Sequence, residues 1–258
     1  MNSLIAAIVP AHNEEKNILL TIDKLLATFK EFNLNGEIIV INDGSIDSTP
    51  QLVERKMKEN PGLVRMVTHD KRKGIGASFW DGVDNAKGNF VVMIPGDNEN
   101  DPREILRYHE LLKEVDIVIP FIFNKDIRPF FRNVLSYIFR LVVNATFLTN
   151  FNYTNGTTIY RKSVLKELKY RDNGFFFQTD ILVRTIKRGY LFAEVPSRLD
   201  LRKSGKSKIV SFSGALDIMG GYLRLVKDYY FFKKEKKEQG KFSSDSVTNI
   251  RKNNKLII

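Results

Sequence analysis

Cysteine is absent from the 258 residues, which removes disulfides, thiolate metal sites and cysteine nucleophiles together. Histidine is scarce, and His12, His69 and His109 are scattered with no metal-ligand spacing. No apolar run reaches the roughly 18 residues that a membrane-crossing helix needs. The first ten residues lack a basic start and carry too short an apolar run for a cleavable signal. No nucleic-acid-binding motif occurs, so nucleic acid is not an expected partner. These absences leave a reducing, cytoplasmic location as the expectation.

What is present is ordinary in amount and uneven in placement. Apolar residues make up 43% and charged residues 28% of the chain, as in a globular domain with a sizeable core. The net charge is +11, and the stretch from Arg202 onward contributes +9 of it. A basic end of this kind suits an anionic membrane surface or is a solvated tail.

Strand and helix patterns alternate through the first half. Leu4–Val9, Glu37–Ile41, Val64–Thr68, Phe90–Ile94 and Ile117–Phe123 read as buried strands. Between them, helices are predicted to begin at Asn13, at Thr49-Pro50, after the Gly-containing turn Lys73–Ala77, and at Asp101-Pro102. Such alternation predicts an α/β fold with a mostly parallel sheet flanked by helices. Polar sequences follow three of the strands: PAHNE, NDGS and PGDNE. All three fall at carboxyl ends of strands, where open α/β sheets bind ligands. In the third, Asp97 and Glu99 can converge on Mg2+ or Mn2+ carrying a diphosphate, because hard divalent cations take oxygen ligands.

Taken together, VPAHNEEKNI, VINDGSIDST, KGIGASFWDGVDNAKG and MIPGDNENDP resemble the nucleotide-binding half of inverting family 2 glycosyltransferases of the GT-A (Rossmann-like) fold. TNGTTIYRKSVL, FFFQTDILVRTIKRGYLFAEVP and RKSGKSKI resemble more specifically the dolichyl- or polyprenyl-phosphate sugar synthases, over Leu4–Ile209 in all. The resemblance implies that Pro10, Ala11, Glu14 and Asp43 hold the nucleoside of a GDP- or UDP-sugar. It implies metal ligation by Asp97 and Glu99, contacts to sugar and acceptor from Gln178 and Asp180, and closure over the diphosphate by Arg202 and Ser207, with Lys206 and Lys208 beside them. Two departures stand out. Pro95 occupies the first position of the usual D-x-D metal loop, and IPFIFNKD carries no arginine where the synthases have one after the fifth strand.

Arg132 and Ser136 match the R-x-x-x-S of the synthases' acceptor helix, within Phe130–Thr149. There Phe131, Leu135, Ile138, Val142 and Ala145 form an apolar stripe, which suits either a helix on a membrane or one packed on the sheet. Phe212–Phe232 reads as a second interfacial helix ahead of a basic cluster. The expected organisation is a catalytic domain over 1–209, a membrane-interface segment over 210–234, and a basic disordered tail over 235–258. The expected activity is sugar transfer to a polyprenyl phosphate at the cytoplasmic face of a membrane, with a glycan or lipid hydroxyl as the other acceptor. A hydroxyl would require a base, for which Asp180 is the candidate. A glycosyltransferase-like scaffold without catalysis is the reading from another class.

Overall fold

A computed structural model describes residues 4–124, 129–198, 212–232 and 238–255. Its centre is a seven-stranded sheet in the order β3-β2-β1-β4-β6-β5-β7. The strands are β1 (Ile5–Ala11), β2 (Gly36–Asn42), β3 (Val64–Thr68), β4 (Phe90–Met93), β5 (Ile117–Ile122), β6 (Ile159–Arg161) and β7 (Phe192–Ser197). The pairs β1·β2, β1·β4, β2·β3 and β5·β7 are parallel, whereas β6 runs antiparallel to both β4 and β5. The sheet is thus mostly parallel, as predicted, with one reversed strand in its interior.

Side chains on a strand alternate between faces, and the core divides accordingly. Ala6 and Ile8 of β1, with Ile39 and Ile41 of β2, join one cluster; Ile5, Ala7 and Val9, with Ile38 and Val40, join the other. The second face is covered by α1 (Ile18–Glu31), α2 (Thr49–Glu59) and α4 (Arg103–Leu106) with the 3-10 turn that follows it. The first is covered by α3 (Ile75–Asn85), α5 (Phe130–Phe147), α7 (Phe177–Arg188) and α8 (Phe212–Val226). A short α6 (Lys162–Lys166) follows β6. Strands covered on both faces need near-continuous apolar sequence, which is why β1 to β5 were legible; β6 and β7 were not among the expected strands.

Two expectations need correction. Asn13 does not start α1: its φ is 58°, outside the helical region, and the helix begins at Ile18. Residues 238–255 are not a disordered tail. They include α9 (Val247–Lys255), and Ser246, Val247 and Thr248 are buried. The fully buried carboxylate of Asp116 accepts from Val247 N at 2.8 Å, from Thr248 N at 3.1 Å and from the Thr248 hydroxyl. Arg161 Nε donates to the same carboxylate at 2.9 Å. The tail is therefore fixed by a carboxylate supplying the cap that the helix start needs, together with Phe242 packed on Tyr190.

Candidate active site

The polar loops that leave β1, β2 and β4 bind one another before they meet any ligand. Asn13 N donates to Ser45 Oγ at 3.0 Å, and Asn13 Oδ1 accepts from Ile46 N at 2.9 Å. Glu14 N donates to Thr49 Oγ1 at 2.8 Å, and Glu15 exchanges bonds with Asp47 and Ser48 N. Burial would raise the Asp47 pKa, but bonds from Thr49 and the Glu15 amide hold it below the ordinary value.

Asp43 anchors the next loop. Its Oδ1 takes Lys73 N at 2.7 Å and faces His69 Nδ1 at 2.8 Å, while its Oδ2 takes Gly74 N at 2.9 Å. Burial alone would push its pKa up; the two amides and His69 outweigh that and keep the carboxyl below its ordinary value. His69 Nε2 in turn lies 2.7 Å from Asp81 Oδ2. The KGIGA turn is thereby pinned to the end of β2.

The β4 loop lies across the end of β1. Gly96 N donates to Pro10 O at 3.0 Å, and Thr21 Oγ1 of α1 donates to Gly96 O at 3.2 Å. A Cβ on Gly96 would stand 3.2 Å from Pro10 O and 3.1 Å from Ile18, so glycine allows this close crossing. Glu99 N then donates to Asp97 Oδ1 at 3.1 Å across Asn98, whose φ is 57° and whose Oδ1 is buried with no hydrogen-bond partner among the described residues.

These loops open onto a cleft of about 640 Å³. Pro10, Ala11, Glu14 and Asp43 line it, as do Asp97, Glu99 and Arg132. The structure thus brings seven of the sequence-predicted residues together. Ser136 is half-buried on α5 but does not line the cleft. Gln178 and Asp180 are not among the residues that line the cleft. Gln178 is buried and its Nε2 donates to Gly156 O at 2.7 Å. Asp180 is 1% exposed, and Arg184 Nε donates to its Oδ2 at 2.8 Å while Arg184 Nη2 reaches Asp228. The Asp180 carboxylate is thus held in a buried ion pair. Arg202, Lys206, Ser207 and Lys208 lie outside the described residues.

Asp97 and Glu99 fit a divalent cation by chemistry: two hard carboxylate oxygens, with an unsatisfied Asn98 oxygen between them in sequence. Among the described residues no three His, Asp or Glu side chains gather as a closed metal site. A cation on this loop would complete its shell with phosphate and water, the usual habit of Mg2+. Asn173, Gly174, Phe175 and, from α8, Asp217 also line the cleft and were not among the residues expected from the sequence. The available signal was Asp217 as the one acid in the apolar run FSGALDIMGGYLRLV. A second cavity, about 370 Å³, lies at the far end of α5 near Leu148, Lys187 and Tyr229, and among the described residues no carboxylate lines it.

The apolar stripe of α5 faces outward. Phe131 is 69% exposed and Leu135 46%, and Ile138 and Val142 are also exposed, while Val143 and Phe147 are buried. Beside it, α8 exposes Leu216, Met219 and Leu223. The two helices are joined through Thr146 Oγ1 and Tyr222 Oη at 2.7 Å and through Phe147 packed on Tyr222. No described helix is long and apolar enough to cross a membrane.

Residues 6–169 match the family model "Glycosyl transferase family 2". Dodecaprenyl-phosphate galacturonate synthase of Rhizobium johnstonii is 29% identical over 170 residues, 64% of this chain and 50% of that protein. Undecaprenyl-phosphate 4-deoxy-4-formamido-L-arabinose transferase of Aeromonas hydrophila is 25% identical over 163 residues, 63% of this chain and 50% of that protein. The aligned part spans half the length of each of these two relatives. Among solved structures, glucosyl-3-phosphoglycerate synthase of Mycobacterium tuberculosis, in complex with Mn2+, uridine-diphosphate-glucose and phosphoglyceric acid, superposes with a TM-score of 0.66 at 17% identity. That match covers 87% of this chain and 80% of the other.

Proposed function

The chain belongs to glycosyl transferase family 2, and on that premise we propose that it moves a sugar from a nucleotide-sugar to a polyprenyl phosphate, with inversion and with Mg2+ or Mn2+. The observation that carries the reading is the cleft itself. It joins Asp43, Asp97 and Glu99 to Arg132, on a helix whose outer face is apolar and exposed. The names of the two curated relatives support the acceptor. The Mn2+ and Mg2+ complexes of the structural relative support the metal.

In this reading Pro10, Ala11, Glu14 and Asp43 seat the nucleoside, and Asp97 and Glu99 hold the cation. Bound there, the cation neutralises charge on the departing nucleoside diphosphate. Arg132 offers a guanidinium to the acceptor phosphate, a pairing of matched fork geometry. That phosphate is already anionic at neutral pH, so attack on the anomeric carbon needs no strong base. The burial of Asp180 in its pair with Arg184 suits such a reaction. Exposed apolar residues of α5 and α8 seat the protein on the surface of the membrane that holds the acceptor.

The test supplies labelled GDP- and UDP-sugars, Mn2+ and undecaprenyl or dolichyl phosphate. Label should enter a mild-acid-labile lipid, and Arg132→Ala should lower transfer by about tenfold or more, one charged hydrogen bond's worth. Donor hydrolysis with no lipid product would move the acceptor to a hydroxyl compound. Absence of any donor turnover would favour a non-catalytic scaffold.

A further inference from the structure

Asp217 is the cleft carboxylate that nucleoside, diphosphate and metal leave unused. It belongs to α8, remote from the strand-end loops, yet lines the same cleft as Asp97 and Glu99. Phe175 N donates to its Oδ2 at 2.6 Å, and among the described residues that is its one hydrogen bond. Gly174 makes the seat. A Cβ there would stand 2.2 Å from the same oxygen, so any larger residue displaces the carboxylate. Behind it, buried Asp172 accepts from Gly174 N at 2.8 Å. Burial, helped by the charge of Asp217, raises the Asp172 pKa against the opposing effects of Gly174 N and Arg184. The wall is also tied to α3, where Ala77 N donates to Asn173 O at 3.3 Å.

A carboxylate fixed through one backbone amide keeps acceptor capacity for hydroxyl groups. It repels another carboxylate brought beside it. We infer that Asp217 selects the sugar of the donor, accepting hydrogen bonds from the hydroxyls of an uncharged sugar and disfavouring a uronate. This rests on the nucleotide-sugar reading above.

Calorimetry with UDP and GDP in the presence of Mn2+ first establishes nucleotide binding to the wild-type protein. UDP-glucose is then compared with UDP-glucuronate, and GDP-mannose with GDP-mannuronate, by displacement and by hydrolysis. The uncharged sugar should be favoured by roughly tenfold or more, the equivalent of one like-charge encounter near the surface. Asp217→Asn should narrow that ratio several-fold, since the amide oxygen can still accept from Phe175 N while the charge is gone. Gly174→Ala, which displaces the carboxylate and keeps its charge, should weaken binding of the uncharged sugar. A wild-type preference for the uronates, or a ratio indifferent to position 217 while nucleotide binds, overturns the inference alone. Failure of both nucleotides to bind overturns the donor-site reading and the inference with it.

Discussion

A buried carboxylate must find donors, and the source of those donors separates Asp43 from Asp180. Asp43 takes two backbone amides and a histidine from the loop beyond it, and so organises the rim of the cleft. Asp180 takes a guanidinium one helical turn away and is sealed by it. Asp43 has a pKa below its ordinary 3.8. Its contribution to stability is therefore full above that value and is lost as pH falls through the lower folded one. Asp43→Asn should cost about 2–3 kcal/mol at neutral pH, the scale of hydrogen bonds to a charge. The gap to wild type should shrink in denaturation curves taken below about pH 4. A gap that stayed constant down to acid pH would remove the charge from the account. Asp172, whose pKa is raised, acts in the opposite sense: its ionised form opposes folding, and acid relieves it. The pairing of Asp180 with Arg184 was open to a reader of the sequence, since Asp-x-x-x-Arg is an i, i+4 pair on a helix. Asp217 gave less to read, because its partner is a backbone amide and its seat is a missing Cβ.

At the scale of elements, β1 to β5 were legible because burial on both sheet faces imposes unbroken apolar runs, whereas β6, three residues long, and β7, partly exposed, were not. The start of α1 was not. Asn13 has a capping residue's chemistry, but its side chain is spent on Ile46 N of the neighbouring loop. A tertiary contact replaced the local one. The α5 stripe posed a different difficulty: periodicity shows that a face is apolar but not what covers it. The structure answers with an inward face of Val143 and Phe147 and an outward one that is also apolar. Met219→Glu combined with Leu223→Ser should leave thermal stability within about 0.5 kcal/mol, as at other exposed positions. If the outward face seats on lipid, the same change should cut sedimentation with anionic vesicles by roughly tenfold or more. Unchanged vesicle binding would exclude α8 from the contact surface.

For the whole molecule, the end of the described chain is tied to the β5–β6 part of the sheet. Asp116 precedes β5, Arg161 ends β6, and Val247 and Thr248 begin α9. Asp116→Ala would leave Arg161 without its buried counter-charge and α9 without its cap. The expected loss is about 3–5 kcal/mol, with faster proteolysis within 241–255 than in the wild type. Intact protection of that segment would show that α9 is held by other contacts. Composition concealed this arrangement, since a basic stretch with little apolar periodicity reads as solvated when its anchor is a carboxylate 131 positions earlier. The same latch sets an order of events in time. A ribosome adds roughly 5–20 residues per second, so Asp116 and Arg161 are made well before the amides that complete their site. Until residues 246–248 arrive, the carboxylate just before β5 has the Arg161 guanidinium in place of its full set of donors. Completion of that site is therefore a late step of folding.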